Sequence, residues 1–388
     1  MRRLQERLLG HRWYTAANAS SGSEIWVLGL CYKVSADTGN EALSAQAYEE
    51  FLLDFTSRVW ITYRKAGFES LGQTKLTSDV GWGCMLRSGQ MLLAQALVCH
   101  DLGRSWRRDP GQPCSREYLQ ILQSFGDSES CPFSIHNLLE AGSPFGLAAG
   151  SWLGPYALCR TLEALAKADK NQSQKIGGER ALPFAVYVVS GEAEGERGGA
   201  PVLCVEDVAS LCSKWGEPTE EWSPLLLLVP LVLGLDKVNP RYLPSLRATF
   251  TFPQSLGIAG GKPGASTYLV GVQDDQAIYL DPHETQQVVP VTPDNLEVDT
   301  GSYHCSVARR LPLDSIDPSL AIGFYCRDRG EFDDLCARSS ELARQSNGAP
   351  MFTVAEKSAP PKAADSSKLD MEESVPKESS SEDDWQML

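Results

Sequence analysis

The sequence predicts an α+β protein that ends in a disordered acidic tail. Apolar residues at helical spacing dominate the first half of the chain, as in residues 45–65 and 84–100. β-prone runs dominate the second half, and the longest is the apolar run 225–232. From residue 355 the chain fills with Ser, Glu, Asp, Lys and Pro, a composition typical of disorder. The order of these segments indicates helices that pack against a sheet.

The individual elements follow from local patterns. Residues 1–23 are predicted to be weakly structured, and residues 25–29 have the composition of a strand. Pro155 stands at the favoured first position of a helix. Two polar segments are predicted loops, 169–180 and 191–199. The predicted helices are 45–65, 84–100, 118–125 and one from 155, and the later strands are 184–189, 225–232, 267–272, 277–280 and 322–326.

Composition and charge narrow the class of protein. The net charge of the 388-residue chain is −15, which argues against non-specific binding to nucleic acid or anionic lipid. No run approaches the roughly 20 apolar residues of a membrane span. Residues 1–7 lead into no hydrophobic segment typical of a secretory signal. The eleven cysteines include no CxxC pair, which favours reduced thiols and a cytoplasmic protein.

Cys84 is the candidate nucleophile. It follows the turn Gly81-Trp82-Gly83 and begins a predicted helix. The positive end of a helix and its free N–H groups favour a thiolate over a thiol. A buried core cysteine is the alternative, but a core position does not require a bare backbone before it. The pattern therefore indicates a thiol enzyme.

His283 is the candidate general base for this thiol. Of the five histidines, it alone has a carboxylate placed beside it by the local sequence, because Asp281 and His283 point to the same side of an extended chain. At 1.5 Å per residue, His100 lies about 24 Å from Cys84 along the same helix, which is too far to act on the thiol. The oxyanion of the reaction needs donors. The Cys84 N–H is one candidate and the Tyr63 hydroxyl is another.

Two further segments attract attention. The glycine-rich stretch 257–264 lacks the Gly-Lys-Ser/Thr of a phosphate loop between a strand and a helix, and we interpret it as a mobile loop near the active site. At the end of the tail, Trp385 and Leu388 follow acidic residues. This pattern suits addition of a strand to a partner sheet, with both side chains in pockets.

Together these motifs resemble the autophagins, the autophagy cysteine proteases with a papain-like core. The resemblance covers most of residues 24–352 and lies in several long blocks that occur in order. It implies a papain-like protease domain over 24–354, with a small inserted subdomain within about 140–215, and a tail over 355–388. The blocks are residues 60–65, 81–87, 150–155, 253–257, 260–263, 279–283 and 317–324.

The resemblance also implies roles for individual residues. Cys84 is the expected nucleophile, His283 the general base and acid, and Asp281 the group that orients the imidazole. Tyr63 matches the tyrosine that helps the oxyanion hole. Trp152 matches the roof of the cleft, and the covering loop corresponds to Gly260, Gly261, Lys262 and Pro263. The pair Trp385 and Leu388 corresponds to a motif that docks the substrate.

The implied substrates are the ubiquitin-like modifiers of autophagy. Cleavage after the modifier's C-terminal glycine would mature the precursor and release the modifier from phosphatidylethanolamine. The expected protein is a monomer that needs no metal or cofactor and meets membranes only through its lipidated substrate. Alternatives are a catalytically idle module that binds such modifiers, another papain-like hydrolase, or a transglutaminase-type thiol enzyme. A metal protein is disfavoured, because the Cys–His neighbours at 99–100 and 304–305 lack zinc spacing.

Overall fold

The computed structural model describes residues 23–34, 41–72, 74–176, 182–190, 200–216 and 221–357. All of them belong to one compact unit. Residues 1–22, the predicted loop 191–199 and the tail from 358, with Trp385 and Leu388, lie outside the described residues. Within the described ranges, no helix is both long enough and apolar enough to cross a membrane.

The described chain contains eight α-helices and thirteen strands. The helices are α1 Glu41–Ser57, α2 Cys84–Asp101, α3 Arg116–Ser124, α4 Ile135–Gly142, α5 Pro155–Ile176, α6 Val205–Trp215, α7 Leu243–Thr249 and α8 Arg329–Gln345. The strands are β1 Glu24–Val27, β2 Leu30–Lys33, β3 Tyr63–Lys65, β4 Ala185–Val188, β5 Val202–Cys204, β6 Leu225–Val232, β7 Ser255–Gly260, β8 Thr267–Gln273, β9 Gln276–Leu280, β10 Thr285–Gln287, β11 Arg309–Pro312, β12 Ser319–Cys326 and β13 Thr353–Ala355.

One large, mostly antiparallel sheet forms the centre of the molecule. Its strand order is β11-β9-β8-β7-β12-β6-β4, and only β4 and β6 pair in parallel. The first half of β8 pairs with β7, whereas its second half pairs with β1, which in turn pairs with β2. β6 is buried along nearly its whole length: β12 and β4 pair with its two edges and α5 packs against its face, which explains its continuous apolar sequence.

Helix α2 packs against β7, β8 and β12 of this sheet. Every residue from Cys84 to Cys99 is buried, so the helix has no solvent-exposed face along most of its length. Such a helix is held by packing on all sides, as a core helix of a large domain is. The α+β prediction is therefore confirmed, and its central feature is one helix enclosed between the sheet and the other helices.

The structure corrects one predicted helix. The helical pattern of residues 45–65 ends at Ser57, and Tyr63–Lys65 form β3, which pairs in parallel with β10. The residues after Ser57 are instead tied to a distant segment of the chain: the Trp60 indole donates to the Asp281 carbonyl at 2.7 Å. Tertiary hydrogen bonds here override the local helical pattern.

A predicted loop is also wrong in part, because α5 continues through the segment 169–180 as far as Ile176. Contacts with α6 support this extension. Lys170 Nζ donates to the Lys214 carbonyl at 2.6 Å and lies 4.8 Å from the centroid of the Trp215 ring. These polar residues are therefore ordered by a neighbour that local sequence does not reveal.

Several elements were not predicted from the sequence, among them α4, α6, α7, β7 and the 17-residue helix α8. Two of these helices carry a recognisable start signal. The Ser134 side chain accepts from the N–H of Asn137, and the Asp328 side chain accepts from that of Glu331. Both are favoured N-cap residues, so attention to caps would have located α4 and α8.

Candidate active site

Cys84 is the first residue of α2, as predicted, and its side chain is fully buried. The helix begins after Gly83, whose N–H donates to the Asp79 carbonyl at 2.9 Å. A Cβ at position 83 would lie 2.6 Å from Asp79 Oδ2, so only glycine allows this carboxylate to pack against the helix start. The first turn contains no acidic residue, and the helix N-terminus can therefore favour a thiolate.

The start of α2 is held by a buried ion cluster around Arg87. Arg87 Nε donates to Asp79 Oδ2 at 2.7 Å, and its Nη2 donates to Asp127 Oδ1 at 2.8 Å. Its Nη1 donates to Gln90 Oε1 at 3.1 Å. Burial opposes the charge of Arg87, but the two carboxylates outweigh burial and raise its pKa. Because the geometry is close and both carboxylates are paired, the cluster can persist without water.

Asp79 also connects α2 to the next strand. Its Oδ1 accepts from the backbone N–H of Arg64 in β3 at 2.8 Å. The Arg64 side chain is fully buried and donates to the Gln287 carbonyl at 2.7 Å, which ties β3 to β10. The Asp79 carboxylate thus fixes α2 relative to β3, the strand that carries Tyr63.

The segment 60–65 in turn positions the backbone around His283. The Tyr63 N–H donates to the Pro282 carbonyl at 3.0 Å, and the Trp60 indole bonds the preceding carbonyl of Asp281. The Tyr63 and His283 rings meet edge to face, with centroids 5.6 Å apart. Two sequence blocks that are far apart in the chain are therefore joined by main-chain hydrogen bonds.

Asp281 orients the imidazole of His283. Their Oδ1 and Nδ1 atoms are 2.5 Å apart, and Oδ1 also accepts from the His283 backbone N–H at 3.1 Å. The hydrogen bond from Asp281 raises the pKa of His283 to about 9, with a further contribution from Cys84. The same bond lowers the pKa of Asp281. Because the carboxylate accepts the Nδ1 proton, Nε2 is left for the thiol.

The surroundings of the Cys84 thiol favour its ionised form. Burial alone would raise its pKa, but hydrogen-bonding groups of His283, Ser266 and Tyr63 bring it down to about 7. In the described chain, His283 Nε2 and the Tyr63 hydroxyl have no completed hydrogen bond. Both groups therefore lie close enough to the thiol to affect its pKa, but neither forms a complete hydrogen bond with it. Unpartnered buried polar atoms of this kind mark a functional site.

The Tyr63 hydroxyl remains a donor at neutral pH. Burial and the neighbouring Cys84 raise its pKa well above the ordinary value. The hydroxyl and the N–H at the start of α2 are therefore both available to stabilise negative charge beside Cys84.

Trp152 is connected to the thiol through Ser266. The Trp152 indole N–H donates to Ser266 Oγ at 3.3 Å, and Ser266 is fully buried. Ser266 presents both its N–H and its hydroxyl to Cys84. The sequence did not single out Ser266, which stands immediately before β8.

The predicted covering loop joins β7 to β8. Gly260 is the last residue of β7 rather than part of the loop, whereas Lys262 and Pro263 are exposed at its tip. The chain turns where the Ala265 N–H donates to the Lys262 carbonyl at 3.0 Å. Gly261 has a φ of +140°, and a Cβ there would lie 2.5 Å from the Ser266 Cα. The glycine therefore permits the loop to fold tightly onto Ser266.

An open groove runs along this loop and reaches His283 and Asp281 but not the buried Cys84. Cys84 is thus enclosed, whereas Asp281 and His283 face the groove. The groove is lined by Asp236, Ile258, Gly260, Gly261, Lys262, Gly264, Ala265, Thr267, Leu269, Tyr279, Asp281, His283, Leu311, Ser315, Ile316, Asp317 and Leu320.

Of the predicted site residues, the structure groups Cys84, His283, Asp281, Tyr63 and Trp152. Pro263 lies exposed at the loop tip and is not among the residues that line the groove. Sequence reasoning missed Ser266 and the cluster of Asp79, Arg87 and Asp127. A signal existed for Asp79 and Arg87, since both flank the glycine turn before the candidate nucleophile. Nothing local connects Asp127 with them.

Removing one carboxylate tests the ion cluster. Asp79→Asn leaves the Arg87 charge buried with only one anionic partner, and we expect it to lower the free energy of unfolding by about 3 kcal/mol or more. Urea denaturation followed by circular dichroism would measure the change. The control is Asp333→Asn, since Asp333 pairs with Arg329 at the surface with side chains 57% and 47% exposed; we expect a change below about 1 kcal/mol. Equal losses in the two variants would contradict the central role of Asp79.

Comparison with known proteins identifies the family. The family model described as the peptidase C54 catalytic domain matches residues 48–338. Cysteine protease ATG4B of Oryza sativa subsp. indica is 57% identical over 352 residues, which cover 90% of this chain and 73% of that protein. Cysteine protease ATG4b of Arabidopsis thaliana is 58% identical over 355 residues, covering 91% and 73%. For Cysteine protease ATG4B of Xenopus laevis the identity is 38% over 340 residues, covering 85% and 83%. This chain therefore belongs to the peptidase C54 family, with the predicted papain-like α+β fold, and it is a cysteine protease.

Proposed function

We propose that this protease acts in autophagy and cleaves ubiquitin-like modifiers after their C-terminal glycine. The observation that carries the proposal is the enclosed Cys84 thiol, which faces an imidazole oriented by a carboxylate and an unpartnered Tyr63 hydroxyl. A nucleophile, a base and an oxyanion donor are the groups that acyl transfer requires. The family and the resemblance of the motifs supply the substrate class.

The proposed reaction begins with a thiolate–imidazolium pair. The Cys84 thiolate attacks the carbonyl carbon of the terminal glycine, and the oxyanion accepts hydrogen bonds from Tyr63 and the Cys84 N–H. His283 then gives its proton to the leaving nitrogen, and the peptide or amine departs. A water molecule, deprotonated by His283, hydrolyses the resulting thioester. Asp281 holds the imidazole in one tautomer during both steps.

Glycine specificity follows from the cover over the thiol. In this proposal the substrate tail approaches along the groove and displaces Trp152 and the loop at Lys262 and Pro263. The slot opened in this way is narrow, and a Cβ on the terminal residue would meet its walls. The same acyl group is present in the precursor and in the phosphatidylethanolamine conjugate, so one site can serve both. The lipid then remains on the membrane side of the bond that is cut.

A first experiment tests the cleavage itself. The reduced full-length chain is incubated with a ubiquitin-like autophagy modifier that extends beyond its C-terminal glycine, and product masses are followed. We expect one cut after the glycine, and release of the modifier from vesicles that carry its phosphatidylethanolamine conjugate. Binding without any cut would favour the idle module, and transfer to an added amine without hydrolysis would favour a transglutaminase-type enzyme.

The Cys84→Ala variant separates chemistry from recognition. We expect it to lose all cleavage because the attacking atom is gone, while the affinity for the modifier, measured by calorimetry, is retained. Cys159→Ala is the matched control, since Cys159 is buried with a raised pKa and packs in the core. Residual turnover in Cys84→Ala would remove Cys84 from the proposed role.

The pH dependence tests the ion pair. The thiolate forms above about pH 7 and the imidazolium is lost above about pH 9, so kcat/KM should rise through the first value and fall through the second. In Asp281→Asn the main cause of the raised His283 pKa is removed. The falling limb should therefore move to lower pH, and the maximum should decrease. An unchanged falling limb would show that Asp281 does not control the imidazole.

The tail supplies a further test of substrate recognition. The proposed docking pair Trp385 and Leu388 lies outside the described residues, and the proposal for it rests on sequence alone. We expect Trp385→Ala to weaken modifier affinity several-fold while cleavage at high enzyme concentration persists. Gln386→Ala is the control, because Gln386 stands between the two proposed anchors and is not one of them. Equal affinities of the two variants and the unaltered chain would refute tail docking.

A further inference from the structure

Ser266 interacts both with Trp152 in the cover and with Cys84. Its hydroxyl accepts from the Trp152 indole at 3.3 Å. The same hydroxyl, together with the Ser266 N–H, faces the thiol of Cys84. A hydroxyl has one proton and two lone pairs, so it can accept from the indole and donate to sulfur at once.

The fold fixes this hydroxyl in place. Ser266 is fully buried and immediately precedes β8, which is paired on both edges. On its other side, Gly261 approaches so closely that a Cβ would lie 2.5 Å from the Ser266 Cα and 2.9 Å from its nitrogen. The Gly261 N–H is in turn held by the Ser319 carbonyl at 3.3 Å. Ser266 therefore cannot shift without movement of the covering loop.

We propose that Ser266 is a positioning residue that couples the cover to the nucleophile, with its hydroxyl holding Trp152 over the cleft while it stabilises the Cys84 thiolate. The inference rests on the proposed role of Cys84. In the closed form, a chain of hydrogen bonds runs from indole to hydroxyl to sulfur, and each bond polarises the next. Displacement of Trp152 by a substrate removes the first bond of this chain.

This coupling has a chemical consequence. A thiolate that accepts fewer hydrogen bonds is more basic and more nucleophilic. The resting enzyme would thus keep Cys84 ionised but shielded, and arrival of the substrate would both uncover the sulfur and weaken one of its stabilising contacts. Ser266 would link access to reactivity without touching the scissile bond.

Alkylation of Cys84 tests the coupling without any modifier. The full chain is treated with iodoacetamide from pH 5 to 10, and modification of the Cys84 peptide is followed by mass spectrometry, which separates it from the other ten cysteines. In Ser266→Ala we expect the midpoint of the pH profile to rise by about one unit, the effect of losing one hydrogen bond to a charged group. The limiting rate at high pH should rise several-fold, because Trp152 is no longer held.

Three further variants separate coupling from simple loosening of the site. Ser266→Thr keeps the hydroxyl and should restore the midpoint. Trp152→Phe removes only the indole donor; it should raise the limiting rate and shift the midpoint in the same direction, but less. Thr249→Val deletes a buried hydroxyl in α7 that donates to the Leu246 carbonyl outside the groove, and it should leave both values unchanged. Circular dichroism verifies that each variant is folded.

An unshifted midpoint in Ser266→Ala would overturn the proposal, as would an equal shift in Thr249→Val. If Ser266→Ala did not fold, an unchanged limiting rate and midpoint in Trp152→Phe would overturn it instead. A shifted midpoint in an enzyme that cuts no modifier would leave the coupling intact and refute the proposed function. The two proposals are therefore tested separately.

Discussion

The buried pairing of Arg87 with Asp79 and Asp127 is the constraint on which the rest of the site depends. It holds the first turn of α2, and with it Cys84, against both the loop before the helix and the backbone of β3. Burying a charged group costs free energy unless the group is fully paired, so the cluster allows only one arrangement of these segments. The geometry at Cys84 is thus set by side chains that are themselves buried and lie outside the groove.

Hydrogen bonds of the segment 60–65 connect the start of α2 to His283. The segment donates to Asp79 on one side and to the carbonyls of Asp281 and Pro282 on the other. Helix α2 begins about 200 residues before His283, and this segment fixes the distance between them. Hydrogen bonds at both ends restrict relative movement, which favours a preorganised site.

The site combines burial with activation. Burial of a thiol normally suppresses its ionisation, yet the groups around Cys84 outweigh this cost and lower the pKa to about 7. The other buried thiols with a resolved shift, such as Cys159, Cys212 and Cys326, have pKa values that are raised mainly by burial. Reactivity in this chain therefore depends on the groups arranged around one sulfur, and the same enclosure keeps that sulfur away from the open groove.

The sequence by itself determined the α+β class, the position of Cys84 at a helix start and the Asp281–His283 unit. These features are local: helical periodicity, a glycine turn and a two-residue spacing each act over a few neighbouring residues. It gave wrong bounds for the helix that ends at Ser57 and for the loop that α5 occupies, because contacts with distant segments outweighed local preference.

Only the tertiary structure decided that Arg87 would be shared by two carboxylates, that Trp60 would bond Asp281 and that Ser266 would lie between Trp152 and Cys84. Each of these contacts joins residues far apart in the chain. These contacts stabilise the protein only when the helix and the sheet are packed together, so no local sequence pattern predicts them.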